Sequence, residues 1–101
     1  MPTLTHPQDC ATMQDLRVQI DKLDRQLVEM LATRAGYIDR AAQLKSGEGL
    51  PARIPARVEE VVQHVRTSSG ELGMDPDLAE KLWRILIDWS IAREERVLGT
   101  G

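Results

Sequence analysis

The fold is decided by residues 16–45, LRVQIDKLDRQLVEMLATRAGYIDRAAQLK. Leu16, Ile20, Leu23, Leu27, Met30, Arg34, Tyr37, Ala41 and Leu44 recur in alternating steps of four and three, the spacing of one apolar face of a long α-helix. Arg34 stands where the pattern asks for an aliphatic residue. Burying an arginine without an anion costs several kcal/mol, and the seam beside Arg34 holds no acidic residue. The anion must be a carboxylate from another segment or one carried by a ligand.

No proline interrupts the pattern between Thr12 and Lys45, and Gly36 weakens it by only about 1 kcal/mol. The first helix is therefore expected over about 12–45, ended by Ser46, Gly47 and Gly49. Pro55 suits the first turn of a second helix reaching about Ser69, with Val58, Val61, Val62 and Val65 as its buried stripe, stopped by Gly70 and Gly73. Asp75 followed by Pro76 is a cap and first turn for a third helix. Its apolar positions form two stripes, Leu78, Leu82, Ile85, Trp89, Ala92 and Trp83, Ile87, Ser90, Glu94, which predicts packing on both sides. No segment alternates with period two, so the fold class is all-α, a three-helix chain with a very long first helix.

That helix exceeds what one small domain can cover. About 33 residues span roughly 50 Å at 1.5 Å per residue, against a diameter of roughly 35 Å for a compact chain of this size. A four-three seam sustained over about four heptads is a pairing surface, which predicts a homodimer with C2 symmetry.

With 101 residues, 42% hydrophobic and 29% charged, the chain suits one globular domain, expected over 12–98 with tails at 1–11 and 99–101. A net charge of -3 argues against nucleic acid or an anionic membrane as partner. Cys10 is the only cysteine, so no disulfide framework or thiolate metal cluster is expected. Neither a secretory signal nor a membrane span is legible, and a cytoplasmic location is expected.

Basic residues must then act locally. Lys45 lies eleven positions after Arg34, a rotation of about 20°, so both cations point the same way two to three turns apart. Arg17 lies about 100° round from Arg34, but an antiparallel partner could bring its own Arg17 to the far end of the cluster. Arg57, in the first turn of the second helix, adds positive charge beside a backbone-amide terminus. Such a set suits a small dianion, since arginine grips carboxylates with two parallel hydrogen bonds and lysine reaches an ether or hydroxyl oxygen as a point charge.

At these residues the chain resembles the all-helical chorismate mutases and the related isochorismate pyruvate lyases. The resemblance rests on Leu16-Arg17, Ile20-Asp21, Leu23-Asp24, Leu31-Ala32-Thr33-Arg34, Lys45, Arg57 and Ile87-Asp88-Trp89-Ser90-Ile91-Ala92 before Glu94, spanning about 16–96. It implies an intertwined helical homodimer with two active sites, each lined by Arg34, Lys45, Arg57, Ser90 and Glu94 of one chain and the partner's Arg17. The implied ligand is a small dicarboxylate, chorismate or isochorismate. The implied activity is the rearrangement of chorismate to prephenate in aromatic amino-acid biosynthesis, with the isochorismate pyruvate lyase reaction as the alternative. Pericyclic chemistry of this kind needs no metal and no cofactor. The resemblance gives Arg17 and Arg34 the carboxylates, and Lys45, helped by Glu94, the ether oxygen, so that Lys45, Glu94 and Arg34 are the catalytic set.

Three positions depart from the mutase pattern. Ile54 and Val58 stand where acidic residues serve the ring hydroxyl, a loss that resembles the lyases, and Glu94 stands where a glutamine donates to the ether oxygen. An ionised carboxylate cannot donate, so Glu94 would have to be protonated, and activity is expected to favour acidic pH. The competing readings are structural: an ion pair for Arg34, a surface site for Arg57, packing for Ser90, a solvated 93–96 run for Glu94, core or interface anchors for Trp83 and Trp89, and inert His6, His64 and Cys10. Asp15, Asp21, Asp24 and Asp39 read as solvated faces and helix pairs. A non-catalytic helical dimerisation module is the alternative of a different class.

Overall fold

The computed structural model describes residues 3–99. Three α-helices follow a short 3-10 turn at Pro7–Asp9: α1 at Met13–Glu48, α2 at Pro55–Leu72 and α3 at Pro76–Leu98. The all-α expectation holds, with no strand among the described residues. The outer residues of the two expected tails, 1–2 and 100–101, lie outside the described residues.

Local chemistry sets each helix end. At the start of α1 the Thr12 hydroxyl accepts from the Asp15 amide at 3.1 Å. The helix continues through Ser46 and Gly47 and stops at Gly49, whose φ of 69° lets the Leu50 amide fold back onto the Lys45 carbonyl at 2.9 Å. Likewise α2 runs through Gly70 to Leu72 and ends at Gly73, in the left-handed conformation, with the Met74 amide bonded to the Ser69 carbonyl at 2.8 Å. Gly47 and Gly70 therefore do not end their helices. A glycine inside a helix costs only about 1 kcal/mol, and the left-handed residue after the last turn is what closes it. At the start of α3 the Asp75 carboxylate accepts from the Asp77 amide at 2.9 Å, with Pro76 in the first turn.

The chain divides into two compact units, Met1–Gly36 and Tyr37–Gly101. In the first, the segment before α1 is tied to the helix by the Thr5 amide, which donates to Gln19 Oε1 at 2.9 Å. The seam residues Ile20, Leu23, Leu27 and Met30 are exposed, Leu27 by 49%. In the second, α2 packs on α3 around Ala52, Val62, Ile87 and Ile91, with Val58, Val61, Trp83 and Leu98 against them. The expected valine stripe of α2 thus faces the core.

Of the two α3 stripes, the one carrying Ile87, Ser90 and Glu94 is buried against the rest of this unit. Leu78, Leu82, Ile85 and Trp89 on the other are exposed, Ile85 by 68%. One face of α3 is accordingly packed within the chain. Arg66 reaches across from α2 to Asp77 and Glu80 at 3.0 Å, and Arg84 reaches back to Glu59 at 3.0 Å and to Glu80 at 2.8 Å. These pairs stand in solvent and set the register of α2 against α3 more than they add stability. No helix among the described residues is long and apolar enough to cross a membrane.

Removing the α3 cap exposes one orphan amide without touching the core. Asp75→Ala should cost about 1 kcal/mol, which a thermal melt followed by circular dichroism would read as a fall of roughly 4–8 °C for a domain of this size.

Candidate active site

Lys45 occupies the last turn of α1, where a cation is favoured by the helix dipole and its side chain can curl over the chain leaving the helix. Its Nζ donates to the carbonyl of Ala52 at 2.8 Å and stands 2.7 Å from Glu94 Oε1 on α3. Glu94 is only 4% exposed. The solvated reading of the 93–96 run is therefore wrong for Glu94. The buried stripe of α3 carries it inward with Ile87, Ser90 and Ile91, while Arg96 remains at the surface.

The ammonium stands at ion-pair distance from Glu94 Oε1, which has no aligned hydrogen-bond donor among the described residues. Charge, more than hydrogen-bond direction, holds the pair. One direction of the Lys45 ammonium is committed to the Ala52 carbonyl while its charge pairs with Glu94, and the side chain retains 20% exposure. Lys45 can still reach a further oxygen.

Ser90 lies one turn before Glu94 and is buried, its hydroxyl donating to the Leu86 carbonyl at 2.7 Å. That back-bond is the way a helix accommodates a buried serine, and it commits the hydroxyl proton. Arg57 is placed differently from Lys45. It sits in the first turn of α2 as expected, but its side chain is 61% exposed and pairs with Glu60 one turn on. Val58 is packed against the core cluster and Ile54 is half-buried, so the two positions lacking acidic residues are apolar in place as well as in sequence.

Arg34 and Arg17 belong to the first unit. Arg34 is half-buried on α1, and this burial draws its guanidinium below the ordinary arginine value, the direction expected for a cation deprived of water. Arg17 is exposed.

Sequence reasoning missed three contacts around the buried pair. The Ala52 carbonyl that holds Lys45 has no sequence signal, because any residue supplies one. Arg53 pairs with Asp88 at 3.2 Å. Arg93 reaches Asp39, its Nη2 3.0 Å from Oδ2, with the guanidinium 5.4 Å over the Trp89 ring. Asp39 is held below the usual carboxylate range chiefly by its hydrogen bond to Arg93, and Arg93 is raised by the same bond. Only the i, i+4 spacing of Trp89 and Arg93 was visible in the sequence. Among the described residues, no three His, Cys, Asp or Glu side chains gather closely enough to hold a metal ion.

Helix count, the spacing from Arg34 to Lys45 and the approach of Glu94 to Lys45 converge on one class of protein. Residues 16–95 match the family described as chorismate mutase type II, and the chain belongs to it. Among curated proteins it is similar to the isochorismate pyruvate lyase of Pseudomonas aeruginosa, 33% identical over 89 residues that make up 87% of this chain and 86% of the relative. It is 25% identical to the chorismate mutase of Methanocaldococcus jannaschii over 84 residues, 83% of this chain and 85% of that protein. A T-protein of Haemophilus influenzae is 32% identical over 84 residues, but the chain spans only 22% of its length.

The buried pair is asymmetric under substitution. Lys45→Met leaves the Glu94 carboxylate without a countercharge and should cost about 3 kcal/mol, the low end for breaking a buried pair because Lys45 is partly open to water. Glu94→Gln leaves Lys45 its Ala52 carbonyl and its exposure, and should cost no more than about 1 kcal/mol. Urea unfolding of the two variants would compare them directly.

Proposed function

We propose that the chain is a chorismate mutase, converting chorismate to prephenate as a homodimer in which the partner's Arg17 completes each site. The observation that carries this reading is the buried Lys45–Glu94 pair on a chain of this family, with Lys45 retaining exposure toward a further acceptor. A pericyclic rearrangement asks for no nucleophile. It asks for a substrate held with its enolpyruvyl arm folded over the ring, and for positive charge where the breaking C–O bond gathers electrons. Lys45 supplies that charge at the ether oxygen, and Glu94 in its protonated form donates there as well.

While Glu94 is ionised its pair with Lys45 is neutral and does not attract a dianion by itself. The carboxylates therefore fall to Arg34 and the partner's Arg17, with Arg57 available once it leaves Glu60. The exposed seam of α1, including Ile20, Leu23, Leu27 and Met30, supports the pairing of two chains, since a free chain would leave it in water. The same holds for Leu78, Leu82 and Ile85 on α3. Residues 12–98 are taken as the catalytic domain, flanked by 1–11 and 99–101, and the single cysteine suits a reducing cytoplasm.

A second reading, isochorismate pyruvate lyase, is favoured by the similarity to the Pseudomonas aeruginosa protein and by the apolar Ile54 and Val58. Both reactions break the same kind of C–O bond in a dicarboxylate ether and use the same cations.

Purified protein offered each substrate should form prephenate from chorismate with the larger kcat/KM; a larger value for salicylate and pyruvate from isochorismate would establish the lyase. Arg34→Ala should lower kcat/KM about 100-fold or more, with sedimentation still reporting a dimer, whereas a purely structural arginine would lose stability and spare turnover. The pH profile of kcat/KM should favour the acidic side, and Glu94→Gln should flatten it, because an amide donates at every pH. A profile already flat in the unmodified protein would remove Glu94 as donor.

A further inference from the structure

We propose that Arg93, clamped between Asp39 and the Trp89 ring, is a positioning residue that fixes where Glu94 meets Lys45; this rests on the reading of Lys45 and Glu94 as site residues. Consecutive residues of α3 reach across to α1: Arg93 to Asp39 and Glu94 to Lys45. Their partners are six residues apart, about 9 Å along the α1 axis at the helical rise. A single contact between two helices leaves them free to roll or slide about it. Two contacts this far apart remove both freedoms.

Glu94 needs such support. Its Oε1 meets Lys45 at 2.7 Å without an aligned hydrogen bond, and an ion pair is tolerant of direction, so this contact by itself leaves the carboxyl orientation loosely set. Arg93, by contrast, is held rigidly. Its Nε and Nη2 donate to the two oxygens of Asp39 in a bidentate fork, and its planar face lies 5.4 Å from the Trp89 ring centre. Because both members of the outer pair are roughly half exposed, it adds little to stability, and its effect is geometric. Asp39 and Trp89 are then part of the site's support.

The test compares Arg93→Ala, Arg93→Lys, Asp39→Ala, Glu94→Ala and the double variant Arg93→Ala with Glu94→Ala, in turnover of chorismate and isochorismate and in urea midpoint. Each Arg93 variant and Asp39→Ala should lower kcat about tenfold to a hundredfold, the range for a small misplacement of a catalytic group, with the urea midpoint nearly unchanged. Lysine should not rescue, since it keeps the charge but lacks the planar fork. In the Glu94→Ala background, Arg93→Ala should cost nothing further, as expected for two residues acting through one interaction. The positioning role is overturned by full turnover in Arg93→Ala, by losses that multiply in the double variant, or by a fall in kcat that tracks a matching fall in urea midpoint in Arg93→Lys. Absence of turnover in the unmodified protein with either substrate would overturn the reading of the site itself.

Discussion

A lysine ammonium 2.7 Å from a buried glutamate is the interaction on which the second unit of this protein depends. Removing two opposite charges from water costs several kcal/mol per ion, and their attraction offsets that only while they stay together. The pair therefore ties the last turn of α1 to the buried stripe of α3, and through the Ala52 carbonyl it also fastens the segment that leads into α2. Replaced by well-packed aliphatic residues, the same contact would hold the helices as well or better. In a chain of this family the pair makes sense as chemistry, since it keeps a cation and an ionisable carboxyl in a place from which bulk water is largely excluded.

Around the pair the charges are arranged in two tiers. The outer tier, Arg93 with Asp39, Arg53 with Asp88 and Arg84 with Glu59, lies at the surface and orients the helices without much gain in stability. The inner tier holds only Lys45 and Glu94, and it is neutral overall. Attraction of a dicarboxylate then calls for cations beyond this pair, and the proposed reaction assigns that part to the half-buried Arg34, which loss of water draws below its ordinary value. The apolar Ile54 and Val58 set this chain apart from a pattern with acidic residues at those places, and they bear on whether a mutase or a lyase reaction is run.

Much of the fold was legible because its signals are local. Thr12 and Asp75 mark helix starts by accepting from backbone amides within three residues, Pro55 and Pro76 by a fixed φ that suits the first turn, and the valine stripe of α2 follows from helical period alone. Glycine was a weaker signal. Gly47 and Gly70 look like stops yet lie within helices, because a helix ends where the chain can turn left-handed and fold an amide back onto its last turn, as at Gly49 and Gly73. The two apolar stripes of α3 were visible, but which of them faces this chain was not, since periodicity states how many faces are apolar and not what covers each.

The sequence by itself determined the helix count, the caps, the apolar seam of α1 and the family, because all of these rest on spacing along one chain. It also placed Arg34 and Lys45 eleven residues apart, a spacing set by helical geometry. Only the tertiary structure decided that Glu94 is buried against Lys45 when its charged neighbours suggested a solvated run, that the Ala52 carbonyl completes the lysine's contacts, and that Asp39 meets Arg93 across 54 residues. The contacts of Glu94 and Arg93 join segments far apart in sequence. Both depend on how α3 is rotated about its axis, a single angle that no local pattern encodes and that the packing of Ile87 and Ile91 against Val62 and Ala52 fixes.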